Sequence, residues 1–433
     1  MTKKEKIVLI GAGSLQFGLG SVGDILKREA LEGSTICLHD INAEALDLAY
    51  QACKAAIETR KLNFDIESTT NRPDALKNAT FIINSIEITP RFELWDQDYE
   101  VPRKFGNKQI FGENGGPGGM FHSMRIIPPI LEICSDVQKI CPNALFINFS
   151  NPMSRICLAI KRKFPNLKFV GLCHEILLAL MVLPRMLDTP LSNIEFKAGG
   201  LNHFGVILEA KYLDTGKDAY PDIRKNAREA FIKMKTMFEY DLTEYIFNKY
   251  GYFPYTSDSH YGEYIHWAWE KADLEGADRF KENYKKLTLS KGKKIMRLIN
   301  KGKGANLVRP GGESAAPIIE GIITDSNHRE HSVNLPNDDI ITNLPKDLVV
   351  ECPAIVNKDG VHGIKLGEYP KGLAALLRIE ASVQDLVVEA IIKKSKEIAL
   401  QALLASPIVD SATQAEQILD EMLKVQGKYI QLE

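Results

Sequence analysis

Ile7-Val8-Leu9-Ile10-Gly11-Ala12-Gly13-Ser14 is an apolar strand that runs straight into a glycine turn, behind a charged start from Met1 to Lys6. Strand, glycine turn, then helix is the order in which an α/β fold cradles a dinucleotide pyrophosphate. Gly11 allows the tight turn, Gly13 lets the backbone approach the phosphates, and the helix opening at about Ser14 offers free N–H groups. Further on, Thr35-Ile36-Cys37-Leu38-His39-Asp40 predicts a second strand ending in an acid. A carboxylate there accepts hydrogen bonds from an adenosine ribose and repels the extra phosphate of NADP, so Gly11, Gly13, Ser14 and Asp40 point to NAD. Gly18 falls later than the usual third glycine, and an ordinary αβ unit also carries such a turn.

Strand and helix signals alternate through about residue 190. Asn42 caps a predicted helix over 43–60, 80–86 and 144–148 read as buried strands, and 168–172 as a further one. A long helix is expected over 120–140, kinked or broken at Pro128 and Pro129. Strands separated by helices imply a mostly parallel sheet, with ligands beyond the strands' carboxyl ends, which puts Asn84, Asn148 and Cys173 on the active rim. The expected class is α/β: a Rossmann-like, doubly wound parallel sheet as an NAD-binding domain over 1–190. From residue 191 the pattern changes. Strands of a second sheet are expected at 193–197 and 204–212, strand-like pieces at 315–324 and 349–356, and helix over 373–404. This second α+β domain, 191–433, would carry substrate, metal and oligomer contacts, with the site between the two domains.

The 433 residues exceed one average core, and a 45% hydrophobic, 25% charged composition with formal net charge −2 is that of a soluble globular protein. Such a balance gives no electrostatic reason for nucleic acid or an anionic membrane as partner. No apolar run reaches membrane-spanning length, and the N-terminus lacks the apolar stretch of a signal peptide. Seven cysteines without close pairing suit reduced thiols, so a cytoplasmic protein is expected.

Five polar clusters could carry chemistry. Four of the five residues in Gly115-Gly116-Pro117-Gly118-Gly119 are glycine, as a surface turn or a backbone approach to ligand requires. In Asn148-Phe149-Ser150-Asn151-Pro152-Met153, Pro152 starts a helix and Asn151 caps it. Cys173-His174-Glu175 and Asn202-His203 lie in loops beyond predicted strand ends. By spacing alone Cys173 and His203 read as a buried thiol and a hydrogen-bonded imidazole, but in these glycine-flanked loops the two as sole ligands would leave a metal open to substrate hydroxyls and water. Ser257-Asp258-Ser259-His260-Tyr261-Gly262-Glu263-Tyr264 crowds a carboxylate, an imidazole and two phenols, all bases in principle, or else forms an aromatic helix start.

Taken together and in order, these clusters resemble glycoside hydrolase family 4, the NAD- and metal-dependent glycosidases that depart from two-carboxylate hydrolysis. The resemblance covers nearly the whole chain and implies a lactate/malate dehydrogenase-like architecture, with NAD held also at Asn84 and a homodimer or homotetramer as assembly. It implies that Cys173 and His203 bind a divalent metal, usually Mn2+, that Asn151 holds the sugar, and that NAD+ takes hydride from C3. A base then removes the C2 proton, the glycosidic oxygen leaves, water adds and the hydride returns. The base it implies is Asp258 ahead of Tyr261, with His174 or Glu175 protonating the leaving group. Cys173-His174-Glu175 looks like the α-galacturonidase branch. An α-galacturonide is therefore the expected small carbohydrate substrate, its carboxylate read by Arg91 or Arg309. The α-glucosidase, α-glucuronidase and α-galactosidase branches are the alternatives. A malate- or lactate-type dehydrogenase shares the Rossmann domain and the Asn-Pro turn, but Cys173 and the 112–119 loop fit it poorly. A nucleotide sensor without catalysis would be expected to lose Cys173 or His203.

Overall fold

The computed structural model describes residues 4–433, so Met1–Lys3 of the charged start lie outside the described residues. Along the first half, β1 (Lys6–Ile10), α1 (Leu15–Leu26), β2 (Thr35–His39), α2 (Ala43–Arg60), β3 (Asp65–Thr69), α3 (Arg72–Leu76) and β4 (Phe81–Asn84) alternate. They are followed by α4 (Arg91–Lys104), α5 (Gly116–Ile140), β5 (Leu145–Asn148), α6 (Met153–Lys163) and β6 (Phe169–Gly171). The six strands pair in parallel in the order β3-β2-β1-β4-β5-β6. Their apolar runs serve both faces: Ile7 and Leu9 join one core with residues of α1 and α2, Val8 and Ile10 another with α5 and α6. That two-sided burial is why β1 is apolar without alternation. Asn42 caps α2 as expected, its side chain accepting from Ala45 N–H at 3.1 Å.

The second half runs through α7 (Leu177–Met186), the hairpin β7 (Ile194–Leu201) and β8 (Phe204–Tyr212), α8 (Tyr220–Met234), α9 (Asp241–Tyr250) and β9 (Phe253–Pro254). Then come α10 (Asp258–Tyr261), α11 (Leu274–Ile299), α12 (Ala315–Thr324), β10 (His328–Pro336), β11 (Val349–Asn357) and β12 (Gly360–Gly363). The chain ends on α13 (Lys371–Lys393), α14 (Lys396–Ala405) and α15 (Ala412–Gln426). These strands do not form the separate sheet expected from residue 191. β10 pairs antiparallel with β6 through Asn334 and Gly171, and β11, β7, β8 and β9 follow, making one twelve-stranded sheet with β12 on β11. The partner that extends the sheet lies more than 150 residues beyond β6, too far for any local pattern to announce it.

Two further expectations are corrected. Residues 315–324 form helix α12, not a strand: Ala315, Ala316, Ile318 and Ile319 are buried on one side of it, a period that outweighs the β-preference of isoleucine. Gly116–Gly119 is the first turn of α5, which continues through Pro128 and Pro129, and the glycines answer backbone crowding. A Cβ on Gly119 would lie 2.2 Å from the Asn114 carbonyl carbon, one on Gly118 2.5 Å from Gly112 O, and one on Gly115 2.5 Å from Glu263 O.

Candidate active site

The carboxyl ends of β2, β1, β4, β5 and β6 align, with Ile10 level with His39 and Asn84, Asn84 with Asn148, and Asn148 with Gly171. Gly11, Gly13, Asp40, Asn151 and Cys173 come from the loops that follow these strands, and Asn84 and Asn148 are the last residues of β4 and β5. Gly11 holds φ +88° and its N–H donates to His39 O at 3.0 Å. Gly13 N–H donates to Asp40 Oδ2 at 2.8 Å, and a Cβ there would fall 2.7 Å from that oxygen. Gly18, displaced in sequence, still does what a third glycine does: a Cβ on it would lie 2.7 Å from Ala12 O, so α1 packs directly on the turn. Ser14 is the N-cap of α1 without a side-chain capping bond. Asp40 Oδ1 accepts from Asn42 N–H at 2.8 Å, and a carboxylate retains lone pairs for a ribose beyond these two bonds. Asn84 is fully buried, its amide donating to Asn148 and Ser150 while its own oxygen has no partner.

Cys173 follows β6 by two residues, and its sulfur lies 3.2 Å from His203 Nε2. Asn202 and His203 are the two-residue turn of the β7–β8 hairpin, where Leu201 pairs with Phe204. Such turns demand left-handed residues, usually Asn-Gly, and here His203 adopts φ +64°. The strain is held by Ser154, which accepts from Asn202 N–H at 3.2 Å, and by Thr256, which donates to His203 O at 3.2 Å. His203 is 2% exposed and its Nδ1 has no partner. Burial drives its pKa well below the imidazole range, the neutral form that ligates metals, and drives the Cys173 thiol well up, with Glu351 adding to the effect. A thiolate and a neutral imidazole this close would both be available to one divalent ion. Among the described residues no three His, Cys, Asp or Glu side chains gather, so such an ion would keep open positions.

Asn151 is not the cap of α6. Pro152 is, the helix begins at Met153, and the Asn151 side-chain oxygen is buried without a partner. Capping therefore no longer explains this residue, and a ligand hydroxyl would satisfy it. His174 is 65% exposed at the mouth, 3.9 Å from Glu313. Glu175 adds its charge to Cys173, His260 and Tyr240. Arg91 is engaged by Glu87 at 3.6 Å and Glu113 at 3.5 Å and lies over Phe92 and Tyr284. Arg309 is exposed, on a loop whose backbone packs against Gly23 of α1.

The 257–264 cluster separates sharply. Asp258 is fully buried and accepts from Leu242 N–H, Thr243 N–H, the Thr243 hydroxyl and Asp273 N–H, so its carboxylate satisfies the free N–H groups that open α9 from outside that helix. Burial pushes its pKa up to about 6 despite those donors. Tyr261 packs edge-on against Phe204 inside the core, and burial raises its phenol far above the usual range. Neither of the two expected bases faces the Cys173–His203 pair. His260, not singled out from sequence, does: its ring is 4.6 Å from that of His203, and its Nδ1 lies 3.0 Å from Ser259 Oγ. Burial works to depress His260, but the charges of Glu175, Glu113, Glu263 and Glu239 prevail and raise it. Glu263, whose carboxylate accepts from Glu113 and Asn114 N–H, is itself pushed up to about 7 by burial and by Glu113. The helical offset of two residues from Asp258 was the available signal for His260, since it turns the side chain to another face.

Comparison with known proteins matches residues 6–189 to the family 4 glycosyl hydrolase model and residues 198–409 to that family's C-terminal domain. An α-glucosidase of Erwinia rhapontici is 41% identical over 98% of both chains, and an α-galacturonidase of Thermoanaerobacter italicus 28% identical over 98% of this chain and 98% of that one. In fold, the chain superposes on a 6-phospho-α-glucosidase from gut microorganisms in complex with NAD and Mn2+, with TM-score 0.84 at 22% identity, covering 99% of this chain and 100% of that one. Malate dehydrogenase of Cryptosporidium parvum shares the architecture more distantly, at TM-score 0.53 and 15% identity over 90% of this chain and 100% of that one.

Proposed function

The chain belongs to family 4 of the glycosyl hydrolases, and from that premise we propose that it cleaves neutral α-glucosides, with NAD and a divalent metal, manganese first, as bound catalysts. The observation that carries the reading is the Cys173–His203 pair on the same rim as the glycine turn, with the side-chain oxygens of Asn84 and Asn151, unpartnered among the described residues, on the strand ends between them. Bound NAD+ supplies a transient hydride acceptor, and the dication a Lewis acid. The chain's own part is to hold and deprotonate. Gly11, Gly13 and Ser14 receive the pyrophosphate, Asp40 the ribose, and Asn151 accepts from a sugar hydroxyl. His260, oriented by Ser259, takes the role first given to Asp258 or Tyr261, accepting the proton from sugar C2.

Electrostatics support a neutral sugar. The charged groups acting on His260 are acidic, and Arg91, which meets one of them in Glu113, is already shared with Glu87. A sugar carboxylate brought here needs an unpaired cation worth about 1.5–3 kcal/mol, roughly ten- to a hundredfold in rate. The 41% identity to an α-glucosidase agrees with this preference. The α-galacturonide implied by Cys173-His174-Glu175 is the second reading, favoured by the exposed Arg309.

Aryl α-glucoside, galactoside, glucuronide and galacturonide, assayed with NAD+ and Mn2+, separate the two. The glucoside should be fastest, and a faster galacturonide reverses the assignment. Chelation should stop turnover of every substrate and added Mn2+ should restore it. Hydrolysis in D2O should leave deuterium at C2, and His260→Gln should lose that exchange. Full exchange in the variant returns the base role to another residue.

A further inference from the structure

Behind the Cys173–His203 pair lies a second carboxylate that the reading above does not use. Glu351, on β11 level with Gly200 of β7, is 1% exposed. Its Oε2 accepts from Asn202 Nδ2 at 2.8 Å, and its Oε1 from the Tyr255 hydroxyl at 3.0 Å and the Ser332 hydroxyl at 2.7 Å. All three donors are neutral, and among the described residues Glu351 forms no ion pair. Asn202 precedes His203 in the strained turn, so the Glu351 carboxylate holds the residue next to one half of the Cys173–His203 pair. The surrounding backbone is built around this group. A Cβ on Gly205 would lie 2.1 Å from the Tyr255 hydroxyl, and one on Gly199 2.3 Å from Glu351 O.

A buried carboxylate without a cation is costly, and buried charges elsewhere are paired or sit beside metals. One dication against the Cys173 thiolate and the Glu351 carboxylate balances to zero. We propose that Glu351 is a positioning residue for the divalent metal: through Asn202 it fixes the Cys173–His203 geometry, and its charge completes neutralisation of the ion. Carboxylates behind metal ligands work this way in many sites, and their loss weakens metal binding by about 10- to 100-fold. The inference rests on Cys173 and His203 holding the metal.

The test is the Kd for Mn2+ of the full-length, chelator-treated protein in the presence of NAD+, read from free Mn2+ by electron paramagnetic resonance. Glu351→Gln should bind Mn2+ at least about tenfold more weakly. Its NAD+ affinity should stay unchanged, and its metal-free Tm should be no lower than that of the parent. A merely structural role would instead lower Tm and leave the Kd alone. Asn202→Ala, which keeps the carboxylate and cuts the link, should also weaken Mn2+, and the double variant should lose less than the sum of the two. If Glu351→Gln does not fold, Asn202→Ala decides. Either folded variant binding Mn2+ within about twofold of the parent overturns the proposal. A parent protein that binds no Mn2+ overturns the metal reading with it.

Discussion

Two tight turns border the site, and they solve the same backbone problem in opposite ways. At Gly11–Gly13 the functional element is the backbone itself, so side chains are removed: Gly11 takes φ +88°, and a Cβ on Gly13 would press on Asp40. At Asn202–His203 the functional element is a side chain, so a histidine is kept at φ +64°, a conformation costing a non-glycine residue roughly 1–2 kcal/mol. The first turn is stable by composition. The second is stable only because Ser154, Thr256 and Glu351 hold it. Strain of this kind persists where the surroundings over-determine it, and here the surroundings also hold the reactive group.

Removing the side chain that the second turn exists to present should have the largest effect. Cys173→Ala or His203→Ala should lower kcat/KM by more than about a hundredfold, the upper range for outer residues, and abolish stoichiometric metal by elemental analysis. Metal retained in both variants would show that the turn serves another purpose. At the first turn, Gly13→Ala should raise the KM for NAD+ by about tenfold, or about 1.4 kcal/mol, with the Mn2+ Kd unchanged. A change in metal affinity would mean that the two turns are mechanically linked.

A smaller effect isolates the strain. Metal-free His203→Gly should be more stable than His203→Ala by about 1–2 kcal/mol in chemical denaturation, because only glycine is at ease at this φ. Equal stabilities would place the cost elsewhere. A pH-dependent effect concerns the carboxylate at the N-terminus of α9. The Asp258 pKa is raised to about 6 in the fold, so the native state binds this proton more tightly than the unfolded chain. Its contribution to stability is complete below the unfolded value of about 4 and is lost as pH rises through about 6. Between those values stability should fall by at most about 1.4 kcal/mol per pH unit from this group. Asp258→Asn should lack that slope in Tm measured from pH 4 to 7, and its C2 exchange in D2O should persist.

Legibility followed the range of the interactions. The turn at Gly11, the acid at Asp40 and the Asn42 cap were readable because each is decided within a few residues by φ, by hydrogen bonds to neighbouring N–H groups, or by strand order. Cys173 and His203 were readable only as members of a family-ordered set, since thirty residues that include α7 and β7 separate them. Within the 257–264 cluster the residue types were readable and their surroundings were not. Asp258 and Tyr261 look reactive in isolation, but their directions depend on where α9 and Phe204 come to lie. Glu351 carried no signal at all, standing in the apolar run Val349-Val350-Glu351-Cys352 as an apparent interruption.

By itself the sequence determined five of the six parallel strands, their carboxyl-end rim and the glycine turn, because burial on both faces and glycine geometry are written into contiguous residues; β3, largely exposed at the sheet edge, carried no such signal. Only the tertiary structure decided that β10 extends the same sheet from β6, and that the Asp258 carboxylate turns to the N-terminus of α9 while His260 lies against His203. It alone, too, put a lone carboxylate behind Asn202. The physical reason is common to all three. Hydrogen-bond partners and desolvation are set by segments that meet across 15 to 150 residues, and a side chain's chemistry follows from those partners more than from its type.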